Sequence, residues 1–547
     1  MEKELANYQA NATQRIVKAG EDKLKQELLD SEIPEFAVHN HKTKAVHIHD
    51  LEFYSISHNC IGIRVQHLLG NKEYSVKQAL RELGRKIIWL TNMQSGGIGF
   101  IDFDSDMAEY VNTDSDEEII EELREFFFDL NVFSRKGCEK PYVTFNFGLN
   151  TTEAGRRFSR LLLKAYAEGD ENGNPFIFPN LVFKLKALIN IDEESPNHDL
   201  YIQALKVTSK RMVPTYFNCD APGNKKVDPN NIGIMGCRTR VVSNLYGKET
   251  GIKRGNIACV TINLVQLAFQ CSGNVNTFYD LLNKKMAESK EILLHRFTTL
   301  CEKGDFSALR RHNLYENSDK PIDEMLKSGT LSIGFIGLWD ALSVLHNVKF
   351  NDAKDMSPYT EEALSIISKM REIVDGYKDE CKLNFSLLAS AAEGVSGSFA
   401  EYDSKHLGKD SFVCAKGYYT NSFHVPVFIN ADYIQKIDLE APFHALCNGG
   451  CITYVEMAEM PGNNIEATKE VVDYAYKSGC NYIGINFPLD NCKDCGFIGR
   501  IMNTCPKCNS TNIRRLRRVS GYLAEENRFT AGKRKEMLLR KSNIDFS

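Results

Sequence analysis

Two Cys-x-x-Cys pairs near the carboxyl end are the residues whose spacing most directly implies chemistry. Cys492 and Cys495 form the first pair, and Cys505 and Cys508 form the second after nine intervening residues. Two such pairs brought together give four thiolates in a tetrahedron, which suits Zn²⁺. Because four cysteines leave no coordination position open, we expect a structural zinc ribbon. A redox disulfide at either pair is the alternative.

The stretch after these cysteines is basic and supports a rival function. Its charged residues are Arg514, Arg515, Arg517, Arg518, Lys533, Arg534 and Lys535. A zinc ribbon with a basic flank is one way to bind DNA or RNA. The other interpretation is a solvated basic face, or arginines that contact acidic segments of the same chain.

The whole-chain composition favours a cytoplasmic enzyme. The 547 residues are 43% hydrophobic and 25% charged, with a formal net charge of −5. That charge argues against a protein that holds nucleic acid by bulk electrostatics. No apolar run approaches the roughly 18–20 residues needed to cross a bilayer, and the amino terminus lacks a secretory signal. We therefore expect no membrane and no nucleic acid among the partners.

Segments with helical and strand periodicity alternate through most of the sequence, which predicts an α/β layer or barrel. Apolar residues at helical spacing predict helices near 75–90, 117–136, 277–303 and 361–380. Short β-rich runs predict strands at 142–149, 176–183, 259–265, 331–338, 422–429, 451–457 and 481–487. No low-complexity linker divides this part, so residues 1–489 are predicted to be one large domain.

Gly521 follows the cysteine pairs in the run Arg518-Val519-Ser520-Gly521-Tyr522-Leu523. Alone, this glycine would indicate a turn. Together with the ribbon before it, the run resembles the radical loop of glycyl radical enzymes, in particular the anaerobic (class III) ribonucleoside-triphosphate reductases. A glycine Cα can become planar without a side-chain clash, so an unpaired electron there is shared with both flanking amides.

Further segments resemble the same family. They are His47-Ile48-His49-Asp50-Leu51 with Asn59-Cys60, Met235-Gly236-Cys237-Arg238, Asn256 with Val260–Leu264, Ala391-Ala392-Glu393, Asn421–Pro426 and His444–Gly450. The fourth of these, around Glu393, fits the family pattern loosely. The resemblance implies a ten-stranded α/β barrel with a central cysteine-bearing loop, followed by the zinc ribbon and the glycyl radical loop.

The resemblance also assigns roles to the catalytic residues. Gly521 is expected to store the radical and to take a hydrogen atom from Cys237, whose thiyl radical then attacks the ribose. Cys60 is the expected reducing cysteine, and Glu393 the expected base for the 3′ hydroxyl. Asn256 is expected to hydrogen-bond the substrate or the reductant. In the family, an asparagine here accompanies formate, so formate is the first choice of reductant and a small thiol protein the alternative.

Substrate binding is expected at His49, His444 and the Asn448-Gly449-Gly450 segment. The backbone N–H groups of that segment could hold a triphosphate as an anion nest, or the segment could be only a tight turn. His47, His49, His58 and Asp50 could instead form a metal site, although ordinary hydrogen-bonded histidines are the more economical interpretation.

The resemblance implies partners and a domain division. A radical-SAM activase, itself carrying S-adenosylmethionine and a 4Fe-4S cluster, is expected to generate the radical, and the chain is expected to form a homodimer. dNTPs and ATP are candidate effectors. The expected domains are a catalytic barrel at 1–489 without an amino-terminal ATP cone, the ribbon at 490–512, and the radical loop and tail at 513–547. The rivals are another glycyl radical enzyme, such as a formate acetyltransferase or a dehydratase, and the nucleic-acid binder.

Overall fold

The structure is a computed structural model that describes residues 12–111, 114–132, 140–171, 173–408, 411–518 and 520–544. Its strands are β1 (Val46–Ile48), β2 (Cys60–Ile63), β3 (Ile98–Phe100), β4 (Val143–Phe147), β5 (Asn180–Leu185), β6 (Thr215–Asn218), β7 (Arg254–Asn263), β8 (Thr330–Ile336), β9 (Asn384–Ala389), β10 (Thr453–Glu456), β11 (Tyr482–Asn486), β12 (Leu489–Cys492), β13 (Ile498–Gly499), β14 (Ile513–Arg518) and β15 (Leu523–Glu525).

Helices connect most of these strands. They are α1 (Ala12–Ser31), α2 (Glu35–Lys42), α3 (Val65–Leu69), α4 (Val76–Thr91), α5 (Phe103–Met107), α6 (Asp116–Leu130), α7 (Glu153–Glu168), α8 (His198–Arg211), α9 (Leu264–Gln270), α10 (Val275–Lys303), α11 (Ser307–Arg311), α12 (Ile322–Leu326), α13 (Leu338–Leu345), α14 (Ala353–Met356), α15 (Thr360–Cys381), α16 (Val395–His406), α17 (Phe412–Ala415), α18 (Tyr433–His444), α19 (Ile465–Lys477) and α20 (Ala531–Leu539).

The large sheet contains three sets of parallel strands. Its strand order is β10-β11-β6-β5-β4-β3-β2-β7-β8-β9, with β1 paired to β7. Strands β2 to β6 are mutually parallel, and β7 to β9 are parallel, as are β10 and β11. The set from β2 to β6 joins each of the other two through an antiparallel pair, β2 with β7 and β6 with β11. This confirms the predicted α/β architecture.

The expected closed barrel is only partly present. Ten strands follow one path, but no continuous ladder joins its two end strands, β9 and β10, in the part of the chain that the structure describes. A single parallel bridge between Leu388 and Gly450 connects the two ends. Strand β10 begins only at Thr453, beyond this bridge, because the preceding Gly450 lies in a turn with φ +126°.

Local sequence explains the helices that were predicted. In α4 the Ser75 side chain caps the first turn and forms a reciprocal capping box with Gln78, and Leu80, Leu83 and Ile87 form the buried stripe. The predicted helix at 117–136 ends earlier, at Leu130. Its last predicted residues, 133–136, lie outside the described part of the chain. The helices predicted near 277–303 and 361–380 correspond to α10 and α15.

The strand predicted at 422–429 is wrong. Ser422 has φ +42°, and the backbone N–H of Val425 donates to the Glu440 carboxylate instead of to a neighbouring strand. Pro426 has no N–H to donate. The segment is therefore an irregular connection before α18, despite its apolar composition.

A second, four-stranded sheet has the order β13-β12-β14-β15. Strand β12 ends at Cys492, the first predicted zinc ligand, and pairs with β14. Strands β14 and β15 form a hairpin in which Arg518 pairs with Leu523, so Gly521 lies in its turn. The ribbon and the glycine loop thus belong to one sheet. In the described residues, no helix is both long and apolar enough to span a membrane.

Candidate active site

The connection between β6 and β7 carries Cys237 across one face of the large sheet. Two side chains of β4 hold it there: the Asn146 amide bonds both the N–H and the carbonyl of Ile234, at 2.8 and 2.9 Å, and the Thr144 hydroxyl donates to the Gly236 carbonyl at 3.2 Å. We call this side of the sheet the inner face. The loop 234–239 is therefore fixed by side chains of the sheet that it crosses.

Glycines on the inner face leave room for the loop. A Cβ atom on Gly62 would lie 2.4 Å from Cε of Met235, and one on Gly97 would lie 2.8 Å from Cα of Gly236. A Cβ on Gly99 would lie 2.9 Å from the Ile234 carbonyl oxygen. Any larger residue would displace the loop, so these positions need glycine for close backbone approach.

Gly521 lies directly against Cys237. A Cβ atom built on Gly521 would be 2.4 Å from Cβ of Cys237 and 2.7 Å from both its Cα and its carbonyl oxygen. In glycine a hydrogen occupies that direction, so one Cα–H bond of Gly521 points at Cys237. The Gly521 φ of +140° also excludes ordinary side chains. The predicted pair is thus brought together by the structure.

Two buried arginines hold the hairpin in place. Arg238, next to Cys237, donates to the Ser520 carbonyl at 3.0 Å and to the carbonyls of Ala389 and Ser390 at 3.3 and 3.4 Å. Arg518 donates to Oδ1 of Asn486 at 2.9 Å and to the Met212 carbonyl. Val519, between these contacts, lies outside the described residues.

Cys60 and Asn256 are neighbours on the inner face. Their Cα atoms are register partners in the β2–β7 pair, and Cys60 lies on the same side of β2 as Gly62, which packs against the loop. Burial raises the pKa of the Cys60 thiol to about 12, so it stays protonated at neutral pH. The Asn256 amide nitrogen donates to Ser332 Oγ at 2.7 Å and, more weakly, to Thr330.

Glu393 lies beside the glycine hairpin. Its Oε2 accepts a 2.8 Å hydrogen bond from the hydroxyl of Tyr522, the residue after Gly521. The Tyr522 ring lies against Tyr142 and Phe178, with ring centroids 5.3 and 5.9 Å apart. Glu393 is 6% exposed, so the predicted base is buried, and it contacts the residue that follows Gly521 in the hairpin.

His49 reaches the inner face, where its Nε2 hydrogen-bonds Thr261 Oγ1 at 2.7 Å. The alternative of a metal site at His47, His49, His58 and Asp50 is not supported. In the described part of the chain, the group of His, Cys, Asp or Glu side chains that could hold a metal ion is the four-cysteine cluster.

His444 does not offer a free group to a substrate. Its Nδ1 accepts the backbone N–H of Asn481 at 2.9 Å, so its other nitrogen, Nε2, carries the proton and donates to Thr453 Oγ1 at 2.9 Å. Burial lowers the pKa of His444 to about 3, which keeps the ring neutral. Contrary to expectation, both ring nitrogens are used inside the protein.

The Asn448-Gly449-Gly450 segment is a tight turn, not an anion nest. The N–H of Asn448 donates to Leu446, that of Gly449 to Leu387, and that of Gly450 to Cys447, at 3.2, 2.8 and 3.2 Å. Because all three N–H groups are occupied, they cannot also hold a phosphate in this conformation. The Gly449 carbonyl accepts from the Arg240 N–H, so the turn joins the Cys237 loop to β9.

The four cysteines form a compact cluster that could hold a metal ion. The sulfur atoms of Cys492, Cys495, Cys505 and Cys508 all lie within 4.8 Å of one another. Four thiolates at this separation fit the tetrahedral coordination of Zn²⁺. Cys492 of this cluster is the last residue of β12, in the same sheet whose β14–β15 turn carries Gly521.

The arginines of the basic stretch mostly contact the protein itself. Arg515 and Arg517 both pair with the buried Asp490 on β12, and Arg514 pairs with Glu525 at 3.0 Å. These contacts leave little of the predicted basic face for nucleic acid. They also stabilise the hairpin, since they connect β12 and β15 to β14.

Arg238 and Tyr522 lie within the sequence motifs, but the motifs alone assign them no role. The sequence likewise does not mark Thr144, Asn146 and Arg518 as supports of the two loops. The position of Arg238 next to Cys237 and of Tyr522 next to Gly521 was the available signal. The partners of the other three are distant in sequence, and no local pattern reveals them.

The fold is that of the anaerobic ribonucleotide reductases: one solved structure of that name has a TM-score of 0.74 at 16% identity, covering 96% of this chain and 87% of that one. The Thermotoga maritima enzyme in complex with dATP and CTP has a TM-score of 0.70 at 16% identity, covering 95% and 88%.

The chain belongs to the anaerobic ribonucleoside-triphosphate reductase family, whose family model matches residues 4–542. It is 31% identical over 462 residues to the Escherichia coli K12 protein of that name, covering 80% of this chain and 64% of that relative. The chain therefore spans slightly less than two thirds of the length of that relative.

Proposed function

We propose that this chain is the catalytic subunit of an anaerobic ribonucleotide reductase that converts ribonucleoside triphosphates to 2′-deoxyribonucleoside triphosphates, for DNA precursor synthesis. The observation that carries the proposal is the Cα–H bond of Gly521 that points at Cys237. Family membership supports the same reaction. The nucleic-acid-binding alternative loses its basis, because the arginines that suggested it pair with Asp490 and Glu525.

The proposed reaction starts with the radical on Gly521. The glycyl carbon takes the hydrogen atom of the Cys237 thiol, and the thiyl radical then abstracts the 3′ hydrogen of the ribose. Glu393 accepts the proton of the 3′ hydroxyl, the role of a general base. Tyr522 orients the Glu393 carboxylate through its hydrogen bond.

The 2′ hydroxyl then leaves as water after it gains a proton. Cys60 can supply this proton because burial keeps its thiol protonated at neutral pH, and it can also supply a reducing electron. With formate as the reductant, the overall balance is NTP + HCOO⁻ + H⁺ → dNTP + CO₂ + H₂O. Asn256, the register partner of Cys60, is placed to position the substrate or formate. The final transfer of hydrogen from Cys237 to C3′ regenerates the thiyl radical.

In this proposal the four-cysteine cluster has a structural role. Cys492, Cys495, Cys505 and Cys508 would hold Zn²⁺ in a closed site that fixes the sheet under the Gly521 turn. The ion would take no part in the chemistry, since four thiolates leave it no open position.

Partners follow from the same proposal. A radical-SAM activase, with its S-adenosylmethionine and 4Fe-4S cluster, would generate the Gly521 radical. The substrates would be ribonucleoside triphosphates, with dNTPs or ATP as effectors, as the dATP and CTP of the Thermotoga maritima complex suggest. We propose that the enzyme acts in the cytoplasm as a homodimer.

An oxygen-free assay tests the proposal directly. The chain is incubated with CTP, formate, S-adenosylmethionine and a cognate activase, and dCTP and CO₂ are quantified. Equal amounts of the two products support formate-dependent reduction, whereas no dCTP despite a formed radical contradicts the proposed activity. Cys301→Ala is the matched cysteine control, because Cys301 is half-buried on α10 and its charged neighbours, Asp323, Lys327 and Glu302, do not belong to the proposed site.

A further inference from the structure

A hydrogen-bonded chain crosses the inner face from β1 to the end of β9. His49 Nε2 bonds Thr261 Oγ1 at 2.7 Å, and Thr261 Oγ1 bonds Ser390 Oγ at 2.6 Å. Thr261 and Ser390 are buried, and His49 is half-buried. We call these three residues the hydroxyl chain.

Strand register places the hydroxyl chain on the same face as the reactive residues. Asn256 pairs with Thr330 of β8, and Thr261 pairs with Gly334. Thr330 and Gly334 are four residues apart on one strand and so face the same side, which puts Asn256 and Thr261 on that side as well. His49 bonds the carbonyl of Cys259, two residues before Thr261, through its backbone N–H.

Two more histidine rings lie beside the outer end of the chain. The His47 ring lies 4.7 Å from that of His49, and the His41 ring lies 4.9 Å from that of His47. Burial, together with the neighbouring histidines, lowers the pKa of His47 well below its usual value, so its imidazole is neutral. A neutral imidazole has one N–H donor and one acceptor nitrogen, which is what proton transfer along a chain requires.

The charged groups around these histidines come from several elements. Lys25 of α1 and Lys44 before β1 face His47 and favour its neutral form. Arg296 of α10 donates to the carbonyls of His49 and Asp50, and the Asp50 carboxylate accepts from Asn59. These groups hold the backbone of β1 in place and leave the ring contact between His49 and Thr261 intact.

The inner end of the chain lies beside the loop that carries Cys237. The Ser390 carbonyl accepts a hydrogen bond from Arg238, the residue next to Cys237, at 3.4 Å. Ser390 also precedes Glu393 by three residues in the same connection after β9. The hydroxyl chain thus joins a half-buried histidine to the loop that carries the proposed base.

We propose that His49, Thr261 and Ser390 conduct the proton that each turnover takes up from solution. This inference rests on the proposed function, because reduction by formate anion consumes one proton per deoxyribonucleotide. In that balance the C–H bond of formate and the C2′–O bond break, formate gives two electrons, and the departing oxygen leaves as water. A dithiol reductant would bring its own protons, so the formate reaction has a particular need for such a path.

The test compares Thr261→Val with Thr261→Ser. Valine keeps the shape but removes the hydroxyl, so kcat with CTP and formate should fall about 100-fold, within the range for loss of a proton-transfer group. The solvent deuterium isotope effect on kcat should rise above the wild-type value, while the KM for CTP and the glycyl radical yield stay unchanged. Thr261→Ser should recover most of the lost activity. Thr91→Val is the matched control, since Thr91 only bonds a carbonyl within α4.

A second variant, Ser390→Ala, removes the inner hydroxyl and should show the same rise in isotope effect. Unchanged kcat and isotope effect in both Thr261→Val and Ser390→Ala, with wild-type radical yield, would overturn the proton path. Equal losses in the valine and serine variants at position 261 would also overturn it, since that pattern indicates a packing role. A wild-type chain that forms no radical or no dCTP would instead refute the proposed function itself.

Discussion

One Cα–H bond of Gly521 points directly at Cys237, in the loop that crosses the large sheet. A methyl group in place of that hydrogen would lie 2.4 Å from Cβ of Cys237, far inside van der Waals contact. The turn between β14 and β15 in the four-stranded sheet therefore packs directly against the Cys237 loop, which crosses the large sheet. Direct hydrogen transfer between a backbone carbon and a thiol needs this proximity.

Cys237→Ala should separate radical storage from turnover. The activase needs only Gly521, so the variant should still show the glycyl radical by EPR. It should form no dCTP, because no thiol remains to pass the radical to the ribose. Measurable dCTP formation by the purified variant would exclude Cys237 as the thiyl residue. Cys301→Ala should behave as wild type.

Arg238→Met should lower the rate of dCTP formation per radical. The substitution keeps the apolar stem but removes the donors to the carbonyls of Ser520, Ala389 and Ser390. A misplacement of about 1 Å between reacting groups can cost about 100-fold in rate, so we expect a loss of about 10- to 100-fold in turnover per spin. Arg500→Met, at an exposed position of the ribbon sheet, is the control. An unchanged rate per spin would show that the hairpin is held without Arg238.

Loss of the metal should disorder the glycine hairpin. Cys505→Ser should lower bound zinc from about one ion per chain, the content of a four-cysteine site, as measured by metal analysis. Because β12 carries Cys492 and pairs with β14, the radical yield should fall with the zinc content. Full radical yield and full turnover in a zinc-free variant would contradict this structural role. Cys301→Ser controls for the loss of a thiol.

Acid should destabilise the fold through buried histidines. Burial lowers the pKa of His58 from 6.5 to about 4, so its stabilising contribution is complete above pH 6.5 and is lost as the pH falls towards 4. At pH 5 this loss amounts to about 2 kcal/mol. His58 lies between Phe306 and Tyr315, and His58→Phe should therefore unfold at a temperature that depends less on pH between 6.5 and 5.

The measurement is the thermal midpoint at each pH, with exposed His39→Gln as the control. If His58→Phe and wild type lose the same number of degrees between pH 6.5 and pH 5, His58 is not the group that titrates.

Local pattern was enough to predict some parts of this structure. The two Cys-x-x-Cys pairs predicted the four-cysteine cluster because their four sulfurs are close in sequence as well as in space. Ser75 and the apolar stripe behind it predicted α4 for the same reason. The meeting of Gly521 with Cys237 depends on tertiary packing, and it was predicted only through the family resemblance.

Other features could not be read from the sequence because distant partners decide them. The apolar run at 422–429 looks like a strand, yet the Glu440 carboxylate takes the Val425 N–H that a neighbouring strand would need. His444 looked available to a substrate, but Asn481 and Thr453 occupy its two nitrogens. The burial of Arg238 likewise depends on distant partners, the carbonyls of Ala389 and Ser520.

EPR spectroscopy of the activated chain tests the central claim most directly. Protein produced with ordinary glycine, and with glycine deuterated at Cα, is activated without oxygen, and the two spectra are compared. The account predicts a doublet that collapses on deuteration, and cleavage of the backbone at Gly521 when the activated sample meets air. A spin whose splitting ignores the glycine label, or a chain that stays intact in air after a radical has formed, would contradict it.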